Sequence, residues 1–186
     1  MTMNFQKSKG SFLSADGMSK IACCFYEPPA EPVGVLQISH GMCEYIERYE
    51  EFADFLCGKG FAVCGHDHLG HGASAQSPDS LGYFAKKDGA AFLPEDVHRL
   101  TQMAKKRWPG KPYFLLGHSM GSFIARQCLT LYGRELDGAV ICGTAGPNPA
   151  AGAGKALASL FCAVGLEKHR STFLNSLAFG SYNRRF

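Results

Sequence analysis

Little in this sequence points to a membrane, a nucleic acid or a disulfide framework. Its longest apolar run, residues 156–166, is too short to cross a bilayer. Residues 1–10 are polar and lack the apolar segment of a secretory signal, so none is expected. The net charge is only +3. The short basic clusters Lys105-Lys106-Arg107 and Arg184-Arg185 read as solvated faces, and no nucleic-acid partner is expected. There are eight cysteines but no C-x-x-C pair. Most of them, as at Cys64, Cys128, Cys142 and Cys162, lie in apolar runs and read as small buried hydrophobes in a reducing compartment. A soluble, cytoplasmic protein is the expectation. Of its 186 residues 46% are hydrophobic and 19% charged, which suits one globular core and excludes a disordered chain. No internal repeat is present.

What is there is an alternation of short apolar runs with helical patterns. Residues 11–14 and 20–26 read as a hairpin, joined at Ala15-Asp16-Gly17-Met18, where Asp-Gly tolerates positive φ. Pro28-Pro29-Ala30-Glu31-Pro32 is a stiff connector. Residues 33–38, 61–64, 112–116 and 138–142 read as strands. Helices are expected over 44–57, over 94–107 with Pro94 in the first turn, and over 122–131. The strands lack polar alternation, which predicts a mostly parallel sheet buried on both faces, an α/β fold with the hairpin at one edge. Residues 65–88 form a long loop over one end of that sheet. After Gly143 the alternation stops, and the chain is expected to leave the sheet. This divides it into a core, 1–146, and the start of a helical cap, 147–186.

The chemistry centres on Gly117-His118-Ser119-Met120-Gly121. An apolar strand precedes it and an amphipathic helix follows, the context that makes G-x-S-x-G a nucleophile elbow. The turn has to hold Ser119 at a strained backbone angle, and Gly117 and Gly121 lack the Cβ atoms that would collide with the neighbouring strand and helix. Ser119 is the expected nucleophile. His118 is its neighbour in sequence, so it should point elsewhere and pack in the elbow.

Acyl transfer also needs two N–H donors for the developing oxyanion. Met120, the residue after the nucleophile, supplies one. Ser39-His40-Gly41-Met42 lies at the same end of the sheet, and the Met42 N–H is expected to be the other. His66-Asp67-His68-Leu69-Gly70-His71-Gly72 crowds three imidazoles and a carboxylate into one loop. It lacks the H-E-x-x-H spacing, so no metal is expected; the side chains should bond the local backbone instead. Gly152-Ala153-Gly154-Lys155 is not a phosphate loop, since Ala156 follows and no strand precedes.

Three stretches together resemble one family. Ser39-His40-Gly41-Met42-Cys43-Glu44 with Tyr49, His66-Asp67-His68-Leu69-Gly70-His71-Gly72-Ala73-Ser74 and Gly117-His118-Ser119-Met120-Gly121-Ser122 look like the monoacylglycerol lipase and lysophospholipase branch of the α/β-hydrolases, of serine aminopeptidase S33 type. Phe179-Gly180-Ser181-Tyr182-Asn183 is similar to the cap of microbial members. The resemblance implies a serine nucleophile at Ser119, oxyanion donors at Met42 and Met120, a helical cap and no cofactor. It implies small-molecule acyl esters as substrates, of glycerol or lysophospholipids, with the cap as the part that would touch lipid or a membrane surface.

The family's order is Ser, then Asp, then His, with both partners beyond the cap. Here the only later Asp is Asp137, at the start of a strand and so at the wrong sheet end, and the only later His is His169, in the cap. The expectation is therefore a chain that stops within the cap and is inactive alone. Two rival readings stand beside the serine ester hydrolase. One is a non-catalytic fragment that binds an acyl ligand or partner; fluorophosphonate labelling separates it. The other is a serine peptidase or acyltransferase of the same fold, which a substrate panel separates.

Overall fold

In the computed structural model, residues 4–146, 151–166, 169, 171–173 and 176 are described. They fall into two compact units, 1–144 and 145–186.

The first unit begins with β1 (Gln6–Leu13) and β2 (Lys20–Glu27), an antiparallel hairpin in full register. Asp16 closes its turn by accepting the amides of Met18 and Ser19, both at 2.8 Å. β1 starts earlier than the apolar pattern, because its polar residues pair with β2 along its whole length. Then come β3 (Gly34–Ser39), α1 (Glu50–Cys57), β4 (Phe61–His66), α2 (Gly89–Arg107), β5 (Tyr113–His118), α3 (Met120–Tyr132) and β6 (Gly138–Cys142). The sheet order is β1-β2-β4-β3-β5-β6. β3, β4, β5 and β6 are parallel, and β2 joins β4 antiparallel.

Alternate side chains feed two cores. Cys23, Phe25, Val35, Ala62, Cys64 and Tyr113 meet Leu100, Ala104 and Trp108 of α2 and its end on one face. Cys24, Tyr26, Leu36, Ile38 and Val63 meet Ile46 and α1 on the other. α3 packs beside α2 around Leu93, Val97, Leu115, Ile124, Ala125 and Cys128. Gln37, buried in mid-strand, is satisfied: it donates to Val97 O (2.9 Å) and accepts from Thr101 (2.8 Å) and the Tyr113 hydroxyl (2.5 Å).

Four expectations are corrected. Residues 44–57 are not one helix: a 3-10 turn, Ile46–Tyr49, precedes α1, and Glu44 stands outside both. Pro94 sits inside α2, which begins at Gly89. Burial on both faces holds for β3 but not for β6, whose Ala139, Val140 and Cys142 are exposed beside a single partner strand. Cys142 and Cys162, expected to be buried, are exposed, because an apolar run does not show which of its sides is covered. Among the described residues no helix is long and apolar enough to cross a membrane.

The second unit contains α4 (Ala151–Ala163). Gly152, Gly154 and Lys155 lie within this helix. Gly165 at φ 79° ends it, and the Leu166 amide closes back on Phe161 O at 2.9 Å. The His169 ring lies nearly parallel to that of Phe161. Residues 179–183 lie outside the described residues.

Candidate active site

Ser119 is the single residue between β5 and α3, with φ 52° and ψ −117°. Its amide donates to Cys142 O of β6 at 2.9 Å, and its carbonyl accepts from the Ser122 amide (2.9 Å) and hydroxyl (2.6 Å). The flanking glycines are needed sterically. A Cβ on Gly117 would stand 2.7 Å from that of Ala125, and one on Gly121 would stand 2.6 Å from His40 O. Met120 opens α3, so free first-turn amides lie beside the serine, where they can stabilise negative charge.

The turn after β3 packs directly on this elbow: a Cβ on Gly41 would lie 3.2 Å from that of Ser119. Both groups flanking Gly41 are held. Its amide donates to Glu44 Oε2 at 2.8 Å. Its carbonyl lies 2.7 Å from His40 Nδ1. The His68 amide donates to His40 Nε2 at 3.0 Å, which makes Nε2 the acceptor and Nδ1 the protonated nitrogen. Burial pushes the His40 pKa down to about 4, so the ring is neutral at pH 7.

Glu44 is reached from the other side by the Tyr49 hydroxyl, which donates to Oε2 at 2.6 Å. His118 Nδ1 lies 3.1 Å from the Tyr49 oxygen and 3.4 Å from Glu44 Oε2. Burial disfavours the Glu44 carboxylate, but the bonds from Tyr49, Gly41 and His118 outweigh it and hold its pKa below the usual range. The Tyr49 hydroxyl is pushed up, first by burial and then by this carboxylate. β5 alternates, so His118 follows Phe114 and Leu116 onto the α1 face of the sheet. The sequence places Glu44 and Tyr49 in a helix and in the stretch that carries the family resemblance, and assigns neither a role in this turn; the available signal is an acidic residue three positions after a strand-end glycine.

Asp67 is spent on backbone. It accepts the Ile46 and Ala73 amides, each at 2.7 Å. His71 Nδ1 lies 3.1 Å from Leu69 O. His68 Nε2 lies 3.1 Å from Ser39 Oγ. His66 is fully buried, 4.8 Å from the His68 ring and 5.7 Å from Phe12, with neither nitrogen hydrogen-bonded. Among the described residues no group of three or more His, Cys, Asp and Glu side chains is arranged to hold a metal ion. Asp137 bonds the Tyr113 amide at 2.7 Å, at the start of β5 and so at the opposite sheet end from Ser119.

The sequence profile described as serine aminopeptidase, S33, matches residues 30–178. Human monoglyceride lipase is 37% identical over 113 residues, which cover 61% of this chain and 35% of that protein. The monoacylglycerol lipase of Mycolicibacterium smegmatis is 32% identical over 139 residues, 75% of this chain and 47% of that one. A thermostable carboxyl esterase from Bacillus coagulans superposes with a TM-score of 0.77 at 34% identity, over 88% of this chain and 52% of that one. The chain thus spans between about a third and about half the length of these relatives.

Proposed function

This chain belongs to the serine aminopeptidase S33 family, in the monoglyceride-lipase-like branch of the α/β-hydrolases, and on that premise we propose that the whole protein hydrolyses carboxylic esters through an acyl-enzyme on Ser119. The observation that carries the reading is Ser119 at φ 52° between β5 and α3, with Gly41 of the neighbouring turn against its Cβ. Ser119 Oγ attacks the acyl carbon and its proton passes to a base. The carbonyl electrons collect on oxygen, held by the Met42 and Met120 amides. Collapse expels the alcohol with a proton, and water then releases the acid by the same steps.

The core histidines are otherwise engaged. His40 and His71 lie against backbone carbonyls, His68 against Ser39, and His98 against Glu135, while His66 is sealed in the core and His118 faces Glu44 and Tyr49. Among the described residues no histidine is hydrogen-bonded to Ser119.

For substrate, fatty-acid esters of glycerol are the preferred reading, because several relatives are named as monoglyceride lipases. Lysophospholipids come second. The proposed lipid-contacting part is the cap segment, residues 147–186. The test is a panel of a monoacylglycerol, a lysophospholipid, a short nitrophenyl ester and a peptide amide, given to the whole protein and its Ser119→Ala variant. Monoacylglycerol turnover lost in the variant is expected. Hydrolysis of the amide alone, or turnover that survives the substitution, overturns the proposal.

A further inference from the structure

A glycine at an oxyanion turn poses a physical problem. A Cβ on Gly41 would stand 3.0 Å from Glu44 Oε2 and 3.2 Å from the Cβ of Ser119, so glycine suits this tight place, yet it leaves both backbone dihedrals free. Catalysis by an oxyanion hole depends on amides aimed before the reaction starts, with no reorganisation during it. Something outside Gly41 has to remove its freedom. Two groups do. His40 Nδ1–H takes the Gly41 carbonyl. A trans peptide sets C=O and N–H on opposite sides, so this bond alone sends the Met42 amide the other way. It leaves the preceding peptide unrestrained, and that peptide's N–H is the one Glu44 accepts at 2.8 Å.

Resting on the serine-hydrolase reading above, we propose that Glu44 is a positioning residue of the oxyanion turn, whose carboxylate, tied to the elbow strand through Tyr49 and His118, holds the Gly41 amide so that the Met42 N–H stays aimed beside Ser119. The local chain is built for this. Cys43 takes the left-handed conformation, φ 58°, and the chain remains non-helical through Tyr45. Had 44–49 continued as one helix, as its sequence suggests, the Glu44 side chain would follow that helix rather than return to Gly41.

The second half of the argument is electrostatic. A carboxylate near a developing oxyanion opposes catalysis unless its charge is neutralised locally. Glu44 Oε2 takes the Gly41 amide and the Tyr49 hydroxyl, with His118 Nδ1 at 3.4 Å, and Arg48 Nε stands 3.8 Å from Oε1 as the counter-charge. Tyr49 has one proton and gives it to Glu44, so its oxygen is free to accept from His118 Nδ1–H at 3.1 Å. The chain His118–Tyr49–Glu44–Gly41 thus runs from the residue before the nucleophile to the residue before the oxyanion donor. It couples the two halves of the site across the α1 face. Bonds to a charged acceptor are about twice as strong as neutral ones, which suits a group that has to immobilise a glycine.

Two readouts test this on the 186-residue chain, and one of them does not need turnover. The first is amide hydrogen exchange at Gly41 and Met42, followed by NMR. The second is the rate at which a p-nitrophenyl alkylphosphonate phosphonylates Ser119, with Ser119→Ala as the blank. Glu44→Ala should speed Gly41 exchange at least tenfold, leave β3 and β5 amides protected, and slow phosphonylation roughly 10–100-fold. That range lies below the roughly 10²–10³ lost when an oxyanion donor is removed outright. Glu44→Gln, which keeps an acceptor, should recover much of both, and Tyr49→Phe should fall between. Parent-like labelling of Glu44→Ala overturns the proposal, even if Gly41 loses protection, since the carboxylate would then be structural only. A parent chain that is not labelled at all is the outcome that a missing base gives, since an unactivated hydroxyl is a weak nucleophile. Glu44 is then judged by exchange, with unchanged Gly41 protection in Glu44→Ala refuting the clamp and lost protection supporting it.

Discussion

Gly121 lies so close to the carbonyl of Ser39 that a Cβ on the glycine would overlap that oxygen. The helix that follows Ser119 and the chain at the end of β3 are therefore in direct backbone contact. Neither group belongs to a side chain that could swing away. Gly121→Ala should destabilise the core by about 3 kcal/mol or more, the upper range for overpacking, and shift the Ser119 turn. Urea denaturation measures this; a loss below about 1 kcal/mol would mean the two backbones separate easily.

Ser119 occupies a backbone region that costs of order 1–3 kcal/mol for a residue with a Cβ. Ser119→Gly should abolish the ester hydrolysis proposed for the whole protein and raise stability by about 1 kcal/mol. Ser119→Ala should abolish it without that gain. A Ser119→Gly variant that melts below the parent would show that the strain is not stored at this residue.

Burial pushes the His66 pKa down to about 3. Between its ordinary value of 6.5 and 3 the unfolded chain binds a proton that the native ring does not. The stability from keeping His66 neutral is whole above pH 6.5 and is lost progressively as pH falls through that window. His66→Phe keeps the ring packing against Phe12 and His68, and should make the acid slope shallower by up to one proton, about 1.4 kcal/mol per pH unit. Denaturation at pH 4, 5, 6 and 7 measures the slope, and an unchanged slope refutes the assignment.

Asp96 works in the opposite direction. Burial beneath the β1–β2 turn raises its pKa to about 6, despite bonds from Ser14 and the Ala15 amide. Here the native state holds the proton between pH 3.8 and 6, so this contribution falls as pH rises through that window and is gone above it. Asp96→Asn should lose less stability than the parent between pH 4 and 7, by about 1–3 kcal/mol. A larger loss would mean that the carboxylate's hydrogen bonds outweigh its desolvation.

The 186-residue chain by itself should turn over a short nitrophenyl ester far below the usual enzyme range of about 1–10³ s⁻¹. Among the described residues no histidine is hydrogen-bonded to Ser119, and a neutral hydroxyl without a base is a weak nucleophile. Turnover within that range, abolished by Ser119→Ala, would show that a base is at hand; His169→Ala is then the first variant to make.

Much of this architecture could be read before folding, because it is written in local period and sterics. Apolar runs at 33–38 and 61–64 announce strands, and a G-x-S-x-G between a strand and an amphipathic helix announces the turn at Ser119. Gly117 and Gly121 are demanded by contacts within one strand–turn–helix unit and its nearest strand. What depended on tertiary structure is how charge and edges are used. Helical spacing of Tyr45, Tyr49, Phe52 and Leu56 suggested one helix from Glu44, since periodicity counts apolar faces and is blind to a carboxylate that prefers a backbone amide three residues back. The same blindness hid the turn of His118 toward Tyr49 and the exposure of Val140 and Cys142 on β6. An apolar strand looks alike in the middle of a sheet and at its rim, and only the order of the strands decides which of them is covered.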